Sequence, residues 1–468
     1  MTTDNSRADV LTQWLAAASA PDRELSRVDR SVPVEASPAQ LGLWLAQEIQ
    51  GGATGFATQH SYRMSGPLDV AALSRALDQL VERHEILRTG FYVDGHVVRQ
   101  DIRPAYSLEL RPEPVPATTG VPEQDLRSAL AETARDGLDL TSGQVMRARL
   151  FRVADDEHVL VLIIHHIALD GWSVSVLQRD LTALYAGEAI EPMPLQYLDF
   201  AEWQRQEVAA GRYADGVEFW RGALAGVPQP MPLPTDRPRR PTQSFRGDCL
   251  HAPLPPEAVR RVDTIAAEAG ATPHIVTLAV FVSVLAQWTG CGDLVVGTAV
   301  NHRPLPETDD MIGPFASILP VRYTVRDGLT FREHLDEVKR QVLDAREHED
   351  VPFELILDSA GVTHSPAYNP LVQVTMTYKS GVIEPIAMRG LTMAGIPAQD
   401  IDVQRDLALE ITGERGDQLS VAYASDLWDR ETVEALVAAY AAALDHAMSH
   451  PDEPLGSVDL SLSLMSQK

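Results

Sequence analysis

The stretch HVLVLIIHHIALDGWSVSVLQRDLTALYAG, residues 158–187, carries three successive local signals. It begins with an unbroken apolar run, which predicts a strand that is buried on both faces. After an Asp-Gly pair, the residues from Ser173 onward predict a helix that ends at Gly187. Two adjacent histidines, His165 and His166, therefore stand where a strand leads into a helix.

This HHxxxDG motif, residues 165–171, allows three interpretations: a metal site, two buried core histidines or a general base. Neighbouring side chains on a strand point to opposite faces, so His165 and His166 do not both reach one ion while the strand continues. The sequence also lacks an HExxH or CxxC motif, which disfavours a metal site. A strand end that opens into a turn places an imidazole at a cleft, and imidazole is the usual general base at neutral pH. From the residues alone, the core role and the acid–base role both stay open.

The composition limits the classes of partner. The chain has 468 residues, enough for two domains, and a formal net charge of −27, which argues against nucleic acid and anionic membranes as partners. No apolar run is long enough to span a bilayer, and the first residues lack a signal-peptide pattern. Cys249 and Cys291 have no metal or redox spacing, which is typical of a reducing compartment. We expect a cytoplasmic location.

Helical and strand patterns alternate along the chain and predict two α/β lobes of comparable size. Thr272 and the pair Thr330 and Glu333 are predicted helix caps, and Asp94-Gly95 predicts a hairpin. The predicted divisions are an N-terminal extension at 1–32 with one short amphipathic helix, a first lobe at 33–225, an interlobe linker at 226–247 and a second lobe at 248–468. The linker is rich in Pro and Arg. Its arginines also make it a candidate docking patch for an acidic partner.

Six further stretches accompany the HHxxxDG motif in a fixed order. They are SPAQLGLW (37–44), RHEILRTGF (83–91), YLDFAEWQ (197–204), MIGPFASILPVR (311–322), HEDVPFELIL (348–357) and SPAYNPLVQV (365–374). With these motifs the sequence resembles the condensation domain of nonribosomal peptide synthetases, in the chloramphenicol-acetyltransferase-like family, over about residues 33–460. The resemblance implies an α/β fold of two acetyltransferase-like lobes, arranged as a V-shaped pseudo-dimer with a tunnel between them.

The same resemblance implies a reaction and a set of partners. An acyl or aminoacyl group arrives as a thioester on the phosphopantetheine arm of a carrier protein, and a small-molecule acceptor enters from the other side. No bound cofactor and no metal are implied. His166 is similar to the residue that deprotonates or positions the acceptor, and the Gly171 amide is a candidate oxyanion donor. Asp170 is similar to a family residue with a structural role. Its implied partner is Arg303, and Arg83 and Arg88 are the alternative partners. The implied catalytic residues are His166, His165, Asp170 and Gly171; the supporting residues are Arg303, Arg83 and Arg88; the substrate-binding residues are Trp172, Ser317, Ser380 and Trp203.

The chain departs from the family pattern at the fifth motif. Where members commonly read F-V-N-T, this chain has Phe315 followed by Ala316, Ser317 and Ile318. We expect an unusual acceptor pocket, one suited to a bulky and partly apolar acceptor.

Several related functions compete with this interpretation. An epimerisation domain has an added glutamate motif and a cyclisation domain replaces both histidines by aspartates, and neither feature is found. The alternatives that stay open are an ordinary peptide-forming domain excised from a larger synthetase, an acyltransferase that uses coenzyme A, and a catalytically silent domain that recruits other enzymes to a carrier. The sequence contains neither an adenylation core nor a carrier site, so we expect a free-standing condensation enzyme of the kind found in enediyne biosynthesis, which forms an ester or an amide.

Overall fold

The structure is a computed structural model that describes residues 24–49, 56–134, 137–363, 365–379, 381, 384–396 and 403–454. The predicted N-terminal amphipathic helix lies outside the described residues. In the first half the helices are α1 (Pro38–Ile49), α2 (Val70–Arg83), α3 (Pro122–Ala134), α4 (Gly171–Ala186), α5 (Tyr197–Ala209) and α6 (Ala214–Ala223). The strands there are β1 (Val34–Glu35), β2 (Ala57–Ser65), β3 (Thr89–Asp94), β4 (Val97–Ile102), β5 (Pro112–Pro114), β6 (Met146–Ala154) and β7 (Glu157–His165).

The second half continues the alternation of helices and strands. Its helices are α7 (Pro256–Ala269), α8 (Pro273–Thr289), α9 (Phe331–Arg346), α10 (Phe353–Ala360) and α11 (Arg430–Ser449). Its strands are β8 (Gly247–Pro253), β9 (Asp293–Asn301), β10 (Ala316–Thr324), β11 (Val374–Tyr378), β12 (Ile386–Met388), β13 (Leu391–Ile396), β14 (Leu407–Thr412) and β15 (Gln418–Ala424). Within the described part of the chain, no single helix is long and apolar enough to cross a membrane; α7 and α8 pass that test only as a pair bent by 104°.

Each lobe is built on one six-stranded sheet. The first sheet has the order β12-β13-β2-β7-β6-β5, and the second has the order β10-β9-β11-β14-β15-β8. A three-stranded sheet, β1-β4-β3, adds Phe91 to the core of the first lobe. In the second lobe α8 is buried along almost its whole length, which agrees with its apolar sequence.

Strand β7 is covered on both faces, as the apolar run predicts. Leu160, Leu162 and Ile164 pack in the same core as Leu177 of α4. The alternate residues of the strand, such as Val161, pack against α3. Burying an aliphatic side chain of this size contributes about 1.5–3 kcal/mol, so the run explains why this strand is central.

The predicted turns and caps are confirmed at the positions where the sequence places them. Asp94 and Val97 close the β3–β4 hairpin, and Gly95 has a φ of +64°. The Thr272 hydroxyl accepts from the Ile275 amide at the start of α8. Thr330 and Glu333 form the capping box of α9.

The division into lobes differs from the sequence prediction at one segment. Strands β12 and β13 belong to the predicted second lobe, yet β13 pairs antiparallel with β2, from Thr392 opposite Ser65 to Ile396 opposite Ser61. Met393 is 1% exposed in the first core. The second half of the chain therefore completes the first sheet, because β2 has a free edge that β13 covers.

The Pro- and Arg-rich segment crosses between the lobes without helix or strand from residue 227 to 245. Arg239 binds Asp406 at 2.6 Å, and both Arg240 and Arg246 pair with Asp426. These ion pairs hold the segment on the second lobe, which favours the linker interpretation over the docking patch.

The lobes meet closely around Gly313. Its amide donates to the Ser173 hydroxyl, and that hydroxyl donates to the Gly313 carbonyl, both at 3.0 Å. A Cβ added at Gly313 lies 2.0 Å from the Tyr197 ring. Glycine is required here because a side chain occupies the same space as that ring.

We expect Gly313→Ala to lower the free energy of unfolding by about 1–3 kcal/mol, because overpacking forces the Tyr197 ring or the backbone to move. Chemical denaturation measures the change. The control is Gly395→Ala, since an added Cβ there meets nothing within 4 Å. Equal midpoints for the two variants contradict the close contact.

Candidate functional site

His165 ends β7 and is committed to its own lobe. Its Nδ1 accepts the Ile167 amide at 3.0 Å, so Nε2 carries the proton and donates to Gln47 Oε1 at 2.5 Å. The side chain is buried, and this burial, with the nearby His166, lowers the pKa of His165 to about 3. His165 is a neutral structural residue that ties β7 to α1.

His166 has the opposite arrangement. It opens a short 3-10 helix, His166–Ala168, and its Nδ1 lies 2.9 Å from the Leu169 carbonyl. A carbonyl only accepts, so the proton is on Nδ1 and the lone pair is on Nε2. Within the described part of the chain, Nε2 has no hydrogen-bond partner, and the side chain is half-buried. This is the arrangement of a general base.

Asp170 connects the motif to the second half of the chain. Its Oδ1 caps α4 by accepting the Ser173 amide at 2.7 Å. Its Oδ2 accepts the amides of Phe315 at 3.1 Å and Ala316 at 2.9 Å. The Asp170 side chain is 1% exposed, so each oxygen depends on these donors for the solvation that it has lost.

Arg303 supplies the opposite charge. Its guanidinium lies 3.4 Å from Asp170 Oδ1, and the two side chains are 2% and 1% exposed. It donates to the Met311 carbonyl at 2.9 Å and lies over the Phe315 ring at 4.0 Å. Burial lowers the pKa of Arg303, and Asp170 counteracts that shift. We call the Asp170 carboxylate, its backbone donors and Arg303 the seam clamp.

The first residues of α4 face open space. An added Cβ at Gly171 has no atom within 4 Å, and the first amides of a helix have no partner inside the helix. Trp172 is 48% exposed, and its indole donates to the Asp309 carbonyl across the seam at 2.9 Å. The amide of Gly171, the first residue of α4, thus has no partner inside its own helix.

The other predicted site residues have different positions. The alternatives to Arg303 are excluded as partners of Asp170: Arg83 pairs with Asp180 at 2.9 Å, and Arg88 donates to the Arg103 carbonyl at 2.7 Å. Arg83 ends α2 and Arg88 ends the 3-10 helix Glu85–Arg88 that follows it, and both bind groups of the first lobe.

The structure contradicts a substrate-binding role for Trp203. Its side chain is 5% exposed in the first core and stacks on Phe200 with ring centroids 5.7 Å apart, because the apolar face of α5 points into that core. Ser317 is the second residue of β10, next to the clamp residue Ala316, and is half-buried. Ser380 lies outside the described residues.

Sequence reasoning missed two residues that α1 brings to the seam. Gln47 reaches His165, and Gly42 faces the Glu354 carboxyl of α10, whose Oε1 lies 2.7 Å from an added Cβ. Burial raises the pKa of Glu354 to about 7. Gln40 and Gln47 lie seven residues apart and so share one helical face. Because polar residues ordinarily indicate the exposed face of a helix, this spacing did not identify Gln47 as a partner of His165. Among the described residues, no three His, Cys, Asp or Glu side chains are grouped as metal ligands.

The comparisons with known proteins agree with this geometry. Residues 32–468 match the family model of the condensation domain. The chain belongs to the condensation-domain family. This condensation domain is 37% identical over 378 residues to phosphinothricin tripeptide synthetase PhsC of Streptomyces viridochromogenes. The aligned residues cover 78% of this chain and 34% of that protein. It is 32% identical to the isonitrile lipopeptide synthase of Mycobacterium tuberculosis, over 93% of this chain and 18% of that protein. The chain thus spans about a third or less of the length of these relatives.

Solved structures have the same fold. The X-domain from teicoplanin biosynthesis aligns with a TM-score of 0.86 at 32% identity, covering 93% of this condensation domain and 100% of that chain. The SgcC5 protein from Streptomyces globisporus aligns with a TM-score of 0.75 at 27% identity, covering 90% and 100%. The fold is therefore the chloramphenicol-acetyltransferase-like pseudo-dimer of condensation domains. The tunnel between the lobes stays a prediction.

We expect Asp170→Ala to lower the free energy of unfolding by about 3–5 kcal/mol, because it leaves Arg303 as a buried charge without its partner. The control is Asp310→Ala, which removes an exposed pair with Arg179 and costs about 0–1 kcal/mol.

The double variant Asp170→Ala, Arg303→Ala isolates the pair. Its loss of stability is smaller than the sum of the two single losses, because the orphaned charge is removed as well. Strictly additive losses, measured by denaturation, contradict a buried ion pair in the seam clamp.

Proposed function

We propose that this condensation domain transfers an acyl or aminoacyl group from a carrier-protein phosphopantetheine thioester to a soluble alcohol or amine. The observation that carries the proposal is the free Nε2 of His166, fixed by the Leu169 carbonyl beside the open N-terminus of α4. Both unpaired cysteines, Cys249 and Cys291, suit the cytoplasm, where carrier-dependent biosynthesis takes place.

The reaction follows from these groups. Nε2 of His166 takes the proton of the acceptor O–H or N–H while the oxygen or nitrogen attacks the thioester carbon. The Gly171 amide stabilises the negative oxygen of the tetrahedral intermediate. The C–S bond then breaks, and the pantetheine thiolate takes the proton from His166, which leaves an ester or an amide and a free thiol. No cofactor takes part in these steps.

Alignment of the two substrates contributes to the reaction rate in addition to the general base. Trp172 lies at the start of α4 in the first lobe, and Ser317 lies in β10 of the second lobe, next to the clamp residue Ala316. A donor and an acceptor held between them react as one bound pair, and correct orientation alone is worth several orders of magnitude in rate. We assign substrate contacts to both residues.

The soluble acceptor and the ester bond rest on two features. The solved SgcC5 structure contains (R)-(−)-1-(2-naphthyl)-1,2-ethanediol, a small alcohol. The Ala316–Ser317–Ile318 segment makes the acceptor side of this chain less polar than the common family pattern. A bulky, partly apolar alcohol, such as a natural-product core of the enediyne type, fits both features, and we favour ester formation.

Recruitment of another enzyme is a second candidate function. The teicoplanin X-domain, which is similar to this chain, has been solved in complex with OxyB. A recruiting domain does not need a free base, so the intact His166 arrangement favours catalysis. Peptide elongation within a larger synthetase is the other alternative, because the curated relatives are much longer than this chain.

We expect His166→Ala to lower kcat/KM by about 10²–10⁴-fold with the melting temperature unchanged, because it removes the base but no core contact. Transfer from the loaded carrier is measured by mass spectrometry of the product. His96→Ala, an exposed histidine in the β3–β4 turn, is the matched control and keeps full activity. Full turnover by a folded His166→Ala variant refutes the assignment of the base.

We also expect a higher kcat/KM for a soluble alcohol than for the amine of the same skeleton. His166→Ala reduces the alcohol reaction more, because a free-base amine is nucleophilic enough to attack before it loses a proton, whereas an alcohol needs the base to remove its proton as it attacks. The measurement compares both acceptors, free and carrier-bound, with one loaded carrier. A strong preference for a carrier-bound acceptor overturns the soluble-acceptor proposal and supports peptide elongation. If the acyl group reacts from coenzyme A at the same rate as from the loaded carrier, the reaction does not need a carrier protein.

A further inference from the structure

A polar pair lies on β2 at the end of the strand nearest His166. Thr58 stands opposite Ile164 in the β2–β7 ladder, and His60 stands opposite Leu162. Further along the same face of β2, Tyr62 and Met64 are 4% and 0% exposed in the first core. The face therefore lies in the apolar core at Tyr62 and Met64 and becomes polar where it reaches the motif.

The hydrogen bonds of this pair determine the tautomer of His60. The Thr58 hydroxyl donates to the Ile164 carbonyl at 3.0 Å, so the same oxygen can only accept from His60 Nε2, 3.1 Å away. The proton of the ring is on Nε2, and the lone pair is on Nδ1. Among the described residues, no group donates to Nδ1.

His60 is uncharged at neutral pH. Burial, and then the nearby His166, lower the pKa of His60 to about 4, so protonation does not satisfy Nδ1. The same cause places the His60 imidazole close enough to His166 for their charges to repel each other. His60 is half-buried, and Nδ1 is not among the buried side-chain atoms of the described residues that lack a partner, so this lone pair stays accessible to a group outside the protein.

We propose that His60 is a specificity-determining residue that accepts a hydrogen bond, at Nδ1, from an amino or hydroxyl group of the substrate. The inference rests on the proposed function. The thioester carbonyl is only an acceptor and cannot bind Nδ1, and the proton of the attacking group goes to His166. We assign to Nδ1 a donor group that differs between substrates and lies beside the reacting atoms: either the amino group of an aminoacyl donor or a second hydroxyl of the acceptor.

The test measures two ratios of kcat/KM. One compares an aminoacyl-loaded carrier with a carrier that bears the same acyl group without the amino group. The other compares a diol acceptor with the corresponding mono-alcohol. Wild type is expected to prefer the substrate with the extra donor group in one comparison by at least about tenfold, since a site built for a hydrogen bond discriminates against a ligand that lacks it.

Two variants test the role of His60, and a third variant is the control. His60→Phe removes the acceptor and is expected to reduce that preference about tenfold or more, while the substrate without the donor group keeps its rate. His60→Asn places an amide oxygen near the position of Nδ1 and restores much of the preference. His96→Phe replaces an exposed histidine and leaves both ratios unchanged. If His60→Phe does not fold, His60→Ala, which leaves space in place of a larger ring, is used for the same comparison.

The comparison in which the preference falls identifies whether the donor or the acceptor carries the recognised group. If wild type shows no preference in either comparison, or if the preference survives loss of the imidazole, the inference is overturned. This outcome differs from failure of the proposed function. If the proposed function is wrong, wild type transfers no acyl group from the loaded carrier, or a folded His166→Ala variant transfers it as fast as wild type.

Discussion

The site depends on one buried carboxylate. Asp170 accepts backbone amides from its own helix and from the 315–316 segment, and it faces the guanidinium of Arg303. A carboxylate this deep is stable only where donors replace water, and a hydrogen bond to a charged group contributes about 1.5–3 kcal/mol. Because those donors come from both halves of the chain, the position of the HHxxxDG turn and the position of the second lobe are set by the same interaction.

The two histidines show how neighbours decide the chemistry of identical side chains. His165 uses both ring nitrogens on protein groups, so nothing is left for a substrate. His166 uses Nδ1 on a carbonyl and keeps the lone pair of Nε2. The difference arises because β7 ends at His165, so the next ring lies in a 3-10 turn and leaves the alternation of the strand. The three interpretations of the motif thus resolve into one structural histidine and one candidate base.

Much of the fold could be predicted because it depends on short-range signals. The burial of β7, the β3–β4 hairpin and the caps at Thr272 and Thr330 follow from patterns within a few residues. The pairing of β13 with β2 could not be predicted in this way, because an exposed strand edge accepts any strand that the chain brings to it. The prediction that Trp203 contacts substrate was wrong for a related reason. A motif identifies a helix but does not determine which of its side chains face the core.

By itself the sequence determined the alternation of strands and helices, the strand-to-turn position of the two histidines and the family resemblance, since these properties are encoded in local spacing and in the order of motifs. Only the tertiary structure decided that Arg303 pairs with Asp170, 133 positions away, and that Arg83 and Arg88 do not. It also decided the protonated nitrogen of His60, His165 and His166. The physical reason is that hydrogen-bond partners are chosen by proximity in space, and residues distant in sequence become neighbours only after both lobes have packed.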